Sequence, residues 1–213
     1  YSGDRFFYVN PLEFDGEYRF NRDNSLVRMP WFNCSCCPTN VVRLFPSLGG
    51  YIYGIREREK HSKKEEEVYV NLFVSSKATM KVNGIDLKIM QTTNYPWDGK
   101  VKIKLDPKQS ADFTLCVRIP GWAQDKPVPS SLYRYADKAA QSITMTVNNE
   151  AITVRPLKGY VRIKRQWNKG DQVELQLPMA VHRVVSHAKV SENKGKVAIE
   201  RGPLVYCLEG IDN

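Results

Sequence analysis

The chain has 213 residues, 42% of them hydrophobic and 26% charged, with a formal net charge of +9. That length buries a sizeable core, no apolar run approaches the roughly 20 residues of a membrane helix, and five cysteines, an odd number, do not make a disulfide-stapled secreted module. The positive charge does not point to nucleic acid either, because Lys and Arg are scattered along polar faces and mixed with Glu.

Residues 1–50 differ in texture from the rest. "RFFYVNPLEF" is a short extended run ended by Pro11, and "PLEFDGEY" reads as a turn, so Glu13 and Glu17 receive no catalytic assignment. "PTNVVRLFPSLGG" predicts a helix. Pro38 suits a first helical position, Val41, Val42, Leu44 and Phe45 supply apolar positions, and Gly49–Gly50 supplies the stop. Pro46 is expected to kink or shorten it.

From Tyr51 onward the text turns β. "YIYGI", "EVYVNLFVSS", "ATMKVNG", "IDLKIMQTT", "KVKIKLDP" and "DFTLCVRIPGW" form one series of strand-like runs. "SITMTVNNEAITV", "GYVRIKRQW", "DQVELQLP", "VHRVVSH" and "KVAIERGPLVYCL" form a second, with "NNE" and "NKGD" as turns. The charged stretch "REREKHSKKEEE" (56–67), which contains His61, reads as a solvated hairpin loop. Cys116 and Cys207 lie inside apolar runs and are expected to be buried free thiols. Trp167 is expected in the core. Trp97 and Trp122 sit beside turns, where such rings anchor a loop or meet a sugar. His182 and His187 flank "RVVS", and a ligand role for either is not expected. Short strands at about ten-residue spacing, without helical crossovers, predict a mainly β chain of antiparallel β-sandwich domains. The expected division is 1–50, 51–110 and 111–213.

"WFNCSCCPTN" crowds Cys34, Cys36 and Cys37 against Pro38. A disulfide between adjacent residues is strained. Inert buried thiols, metal ligation and a catalytic thiolate all stay open. Zinc takes Cys sulfur readily but usually wants four ligands, so a zinc site here would borrow ligands from elsewhere. A Cys at a helix N-terminus feels the positive end of the dipole, which favours thiolate. Trp31 and Phe32 flank the cluster as either sugar walls or core.

The blocks "YVNPLEFDG", "WFNCSCCPTN", "LGGYIYG", "TNYPWDGKV", "VRIPGWA", "GYVRIKRQWNKGDQVELQLPM" and "VAIERGPLVYCLEG" resemble, in that order, the C-terminal part of glycoside hydrolase family 127, the β-L-arabinofuranosidase family. The resemblance implies that the β-sandwiches follow a short remnant of an (α/α)6 helical barrel. It implies a zinc held by three cysteines and a glutamate, with Cys36 and Cys37 matching two of the ligands and Cys36 matching the nucleophile. The third cysteine, the glutamate ligand and the acid/base glutamate lie upstream in the family. Only 35 residues precede Cys36 here, so the chain reads as a fragment that is inactive alone. Cys34 belongs to the motif but takes no ligand role from it, and Trp31 is the candidate substrate contact.

The expected partner is therefore a glycan or oligosaccharide containing L-arabinofuranose, with no nucleic acid and no membrane span; a homo-oligomer is compatible with it. The text does not begin with Met, so a bacterial cytoplasm and a periplasm both stay open. The alternative function is a non-catalytic carbohydrate-binding or scaffolding β-sandwich protein with structural thiols.

Overall fold

The computed structural model describes residues 2–9, 14–34, 36–60, 63–137 and 142–207. They divide into two compact units, the described residues up to Ser47 and those from Leu48 onward.

The first unit has little regular structure and is held by aromatic side chains. Phe32 is buried, with the rings of Phe6 and Tyr8 each 5.4 Å away and edge-on. Phe6 and Met29 exchange backbone hydrogen bonds of 3.0 and 2.9 Å. Asn21 is buried and acts as a local clasp: its Oδ1 accepts the Tyr8 N–H at 2.8 Å and its Nδ2 donates to the Val27 carbonyl at 2.9 Å. The expected turn is present at Asp15, whose Oδ1 accepts the N–H groups of Glu17 and Tyr18 at 2.8 and 2.9 Å. Glu13 lies outside the described residues.

Helix α1 (Cys36–Ile52) runs further than the sequence predicts, through Pro46 and past Gly49–Gly50. Proline removes a backbone donor and crowds the preceding turn. Here the Ser47 hydroxyl lies within reach of the Arg43 and Leu44 carbonyls, at 3.3 and 2.9 Å, and gives that turn a side-chain donor. Pro38 stands third rather than first, still among the N–H positions that no helical carbonyl can use. At the far end Ile52 is buried and its carbonyl accepts the Asn71 N–H at 2.9 Å. Tyr51 and Ile52, expected as strand, are thus the end of the helix.

The strands among the described residues are β1 (Tyr53–Lys60), β2 (Lys63–Val70), β3 (Ser76–Val82), β4 (Ile85–Thr93), β5 (Lys100–Pro107), β6 (Ala111–Arg118), β7 (Tyr133–Tyr135), β8 (Thr144–Val147), β9 (Glu150–Ile152), β10 (Tyr160–Trp167), β11 (Asp171–Gln176), β12 (Val181–Ser186), β13 (Val197–Arg201) and β14 (Leu204–Tyr206). They form sheets ordered β1-β2-β6-β10, β3-β4-β5-β11-β8-β9 and β14-β13-β12-β7. The pairings are antiparallel except β2 with β6. The mainly β, antiparallel reading therefore holds.

The first two sheets enclose one apolar core. Alternation places Leu87, Ile89, Val101, Ile103, Leu105, Val173 and Leu175 inward from one sheet and Val68, Val70, Leu115 and Val117 from the other. The line near residue 110 does not separate sheets, because β5 pairs with β11 and β2 with β6. Connections that cross between layers cannot be read from strand spacing. Trp167 is fully buried as expected, its ring 5.8 Å from Phe113 and its indole N–H donating to the Phe113 carbonyl at 3.2 Å. Cys116 is buried as expected. Cys207 is exposed instead, because β14 is the edge of a sheet. In that sheet His182 is buried against Tyr135, ring centroids 4.3 Å apart, and the Tyr135 hydroxyl donates to Glu200 at 2.7 Å. His187 is exposed.

The charged stretch expected as a loop is mostly strand, β1 and β2 in register from Tyr53↔Val70 to Lys60↔Lys63, with His61 outside the described residues. Its Glu67 is 3% exposed, since β2 is an inner strand. The Glu67 carboxylate accepts from the Tyr69 hydroxyl at 2.6 Å, from Arg58 Nε at 3.2 Å and from both Arg162 Nη atoms. Burial pushes the carboxyl up, but Arg162, Tyr69 and Arg58 pull harder and hold it below its ordinary value. A lowered folded pKa gives stability that is present above the ordinary carboxyl range and lost as pH falls through the folded value. Glu67→Gln is expected to cost about 2 kcal/mol at pH 7, short of a fully buried pair because the arginines reach water. The cost should shrink towards pH 3. Urea denaturation at both pH values reads this, and a pH-independent cost would refute the ionic role.

Candidate functional site

The site is built on the start of α1. Cys36 and Cys37 are its first two residues, and Cys34 precedes it by a tight turn in which the Cys34 N–H donates to the Phe32 carbonyl at 2.6 Å. The turn brings all three sulfurs within 4.8 Å of one another. Cys34 Sγ is 3.0 Å from Cys36 Sγ, and Cys36 Sγ is 3.9 Å from Cys37 Sγ. Cys36 and Cys37 are exposed and Cys34 is half-buried. The Thr39 hydroxyl donates to the Cys36 carbonyl at 2.9 Å, which braces the first turn.

Tyr8 reaches the cluster from the aromatic core, its hydroxyl 3.5 Å from Cys34 Sγ. The Arg22 guanidinium lies over the Tyr8 ring, 4.9 Å from its centroid. The Tyr8 hydroxyl, then the Cys36 thiol and N–H, hold the Cys34 thiol down at about 6. Cys36 is pushed up, by Cys34 first and by Cys37 next. One thiolate is thus favoured in the cluster and the next is opposed by it. A bound cation removes that opposition, because it favours every thiolate it touches.

The donor set is soft and suits zinc. Zinc–sulfur bonds of about 2.3 Å at a tetrahedral centre place two sulfurs about 3.8 Å apart. The Cys36–Cys37 spacing of 3.9 Å matches that, whereas the Cys34–Cys36 spacing of 3.0 Å is the distance of hydrogen-bonded neighbours. Among the described residues no carboxylate or imidazole joins the three sulfurs.

Sequence reasoning named Cys36 and Cys37, and the structure brings them together. Sequence gives Cys34 no role and does not single out Tyr8 or Arg22, which stand 26 and 12 positions before Cys34 with no local pattern to place them against it. Trp31 is exposed while its neighbour Phe32 turns inward. Glu17 is exposed, and His182 belongs to a different unit from the thiols.

Three family profiles match separate segments of the chain. Residues 1–50 match the glycoside hydrolase family 127 β-L-arabinofuranosidase catalytic domain. Residues 67–179 match the middle domain of that family and residues 181–213 its C-terminal domain. A curated non-reducing end β-L-arabinofuranosidase of Bifidobacterium longum subsp. longum is 33% identical over 220 residues, covering 100% of this chain and 29% of that protein. A solved family 127 β-arabinofuranosidase superposes with a TM-score of 0.82 at 41% identity, covering 99% of this chain and 31% of the other. A crystal structure of a family 127 β-L-arabinofuranosidase from Geobacillus stearothermophilus T6 gives 0.76 at 40% identity, covering 99% and 30%. The chain thus spans under a third of the length of these relatives. With the clustered thiols in the segment that matches the catalytic domain, and most of the strands in the segments that match the two domains after it, the chain belongs to glycoside hydrolase family 127.

Proposed function

We propose that the protein carrying this chain is a retaining glycoside hydrolase for β-L-arabinofuranosides, with Cys36 as nucleophile and with Cys36 and Cys37 as zinc ligands. The observation that carries this is the group of thiols at the start of α1, in the segment matching the catalytic domain. Retaining glycosidases ordinarily use two carboxyl groups, and here sulfur takes the nucleophile's place. The Cys36 thiolate attacks the anomeric carbon, forming a carbon–sulfur bond as the glycosidic carbon–oxygen bond breaks. A general acid beyond this chain's cluster gives the leaving oxygen its proton. Water, deprotonated by the same group, then displaces Cys36 and restores the thiolate, so two inversions give retention.

Zinc, when bound, supplies a positive charge that keeps both ligand sulfurs ionised. Cys34 donates or accepts a hydrogen bond at Cys36 and so steers the nucleophile's lone pairs. The exposed Trp31 ring offers a flat apolar wall to the sugar. The test is release of L-arabinose from an aryl β-L-arabinofuranoside by the natural protein, with zinc measured alongside. Absence of hydrolysis overturns the reading. Cys37→Ala is expected to lose at least about tenfold in zinc affinity, and an unchanged zinc content contradicts its ligand role.

A further inference from the structure

The second unit holds a half-open cavity of about 500 Å³, within the range of small-ligand sites. Four segments wall it: the stretch after β2, the loop between β4 and β5, the end of β6 with the proline-rich loop after it, and Pro203 in the turn between β13 and β14. Tyr95 and Trp122 lie nearly parallel in that wall, centroids 6.5 Å apart and planes at 20°. Phe73 meets Tyr95 edge-on at 5.6 Å and fixes it. The loop after β6 is pinned through its backbone, the Gly121 carbonyl accepting the N–H groups of Gln124 and Lys126 at 2.8 and 3.0 Å. A Cβ on Gly121 would stand 3.1 Å from the Lys126 carbonyl, so this close turn favours glycine.

The polar groups of the cavity share one sign. Arg118 and Lys126 line it, and no carboxylate does among the described residues. Neither cation is in an ion pair with a described carboxylate. Asn71 also lines it, its Oδ1 accepting the Tyr160 hydroxyl at 2.9 Å. A rigid aromatic face suits the apolar face of a pyranose ring, and two unpaired cations suit a carboxylate attached to that ring.

We propose that this cavity binds a uronic acid unit of an acidic glycan, with the sugar ring on Trp122 and Tyr95 and the carboxylate beside Arg118 and Lys126. The choice of a sugar over another flat anion rests on the glycosidase reading above; the cation and aromatic geometry does not. The site would hold the protein on a charged polysaccharide while its thiols act on neutral arabinofuranose branches.

Calorimetric titration of the natural protein with trigalacturonate tests this. Binding is expected, weaker at higher salt. Methyl esterification of the ligand, Arg118→Gln and Trp122→Ala should each weaken it about tenfold or more, the loss of about one good contact. Arg118 is exposed at a strand end, so its replacement should leave the melting temperature unchanged and separates recognition from folding. No binding up to about 10 mM, equal binding of the ester, or equal competition by inorganic phosphate overturns the proposal. Cys36→Ser protein should bind trigalacturonate as tightly as the parent, so loss of hydrolysis and loss of this site are read separately.

Discussion

Cys36→Ser is expected to lower hydrolysis of an aryl β-L-arabinofuranoside by the natural protein about 10⁴-fold or more, the scale on which removal of a covalent nucleophile acts. The substitution keeps size and hydrogen bonding but replaces a thiol with an alcohol that does not ionise near neutral pH. Zinc content, measured in the same samples, divides the possible causes. Loss of activity with zinc retained points to the nucleophile, whereas loss of both points to the site as a whole. Cys34→Ser is the matched control. Cys34 lies 3.0 Å from Cys36 and 3.5 Å from the Tyr8 hydroxyl; under the proposed mechanism it orients rather than attacks, and a loss of roughly tenfold is expected. A Cys36→Ser enzyme at parental rate, or a Cys34→Ser enzyme as inactive as Cys36→Ser, contradicts this division of roles.

Trp167→Ala is expected to cost about 3–5 kcal/mol, because it removes the largest fully buried side chain and the two sheets cannot close over the gap. For a chain of this length the melting temperature should fall by roughly 10 °C. Trp167→Phe separates two contributions. It keeps most of the apolar volume and the face towards Phe113 but leaves the Phe113 carbonyl without the indole N–H, so its cost should be about 1–2 kcal/mol. Equal costs for the two variants would show that the hydrogen bond, and not the packing, holds β10 against β6.

Much of this was legible in the sequence because the local signals were strong. Alternating apolar residues placed β3, β4, β5, β10 and β11 close to where they lie. The C-x-C-C-P spacing marked the site. What escaped was non-local. The charge pattern of residues 56–67 resembles a solvated loop, yet Glu67 is buried because β6 covers the strand that carries it. Tyr8 meets Cys34 from 26 positions upstream, a contact that no sequence period records. The three-residue strand β7 is too short to alternate, and it forms only because β12 offers it an edge. The usual effect of Pro46 predicts a break, and the nearby Ser47 hydroxyl, which braces the same turn at the Arg43 and Leu44 carbonyls, carries no sequence signature of its own.

The interleaving of the sheets has a consequence for synthesis. β5 emerges from the ribosome long before its neighbour β11; the Gly170 N–H that donates to Asp106 beside that pairing lies 64 residues downstream. At roughly 5–20 residues per second, the open edge of β5 waits about 3–13 s for its partner. During that interval β3, β4 and β5 can pair only with one another, and Val101, Ile103 and Leu105 face a core whose other half is still being made. The lysines at 100, 102 and 104, alternating with those apolar residues along the same strand, put like charge on the waiting edge and disfavour its pairing with a second nascent copy.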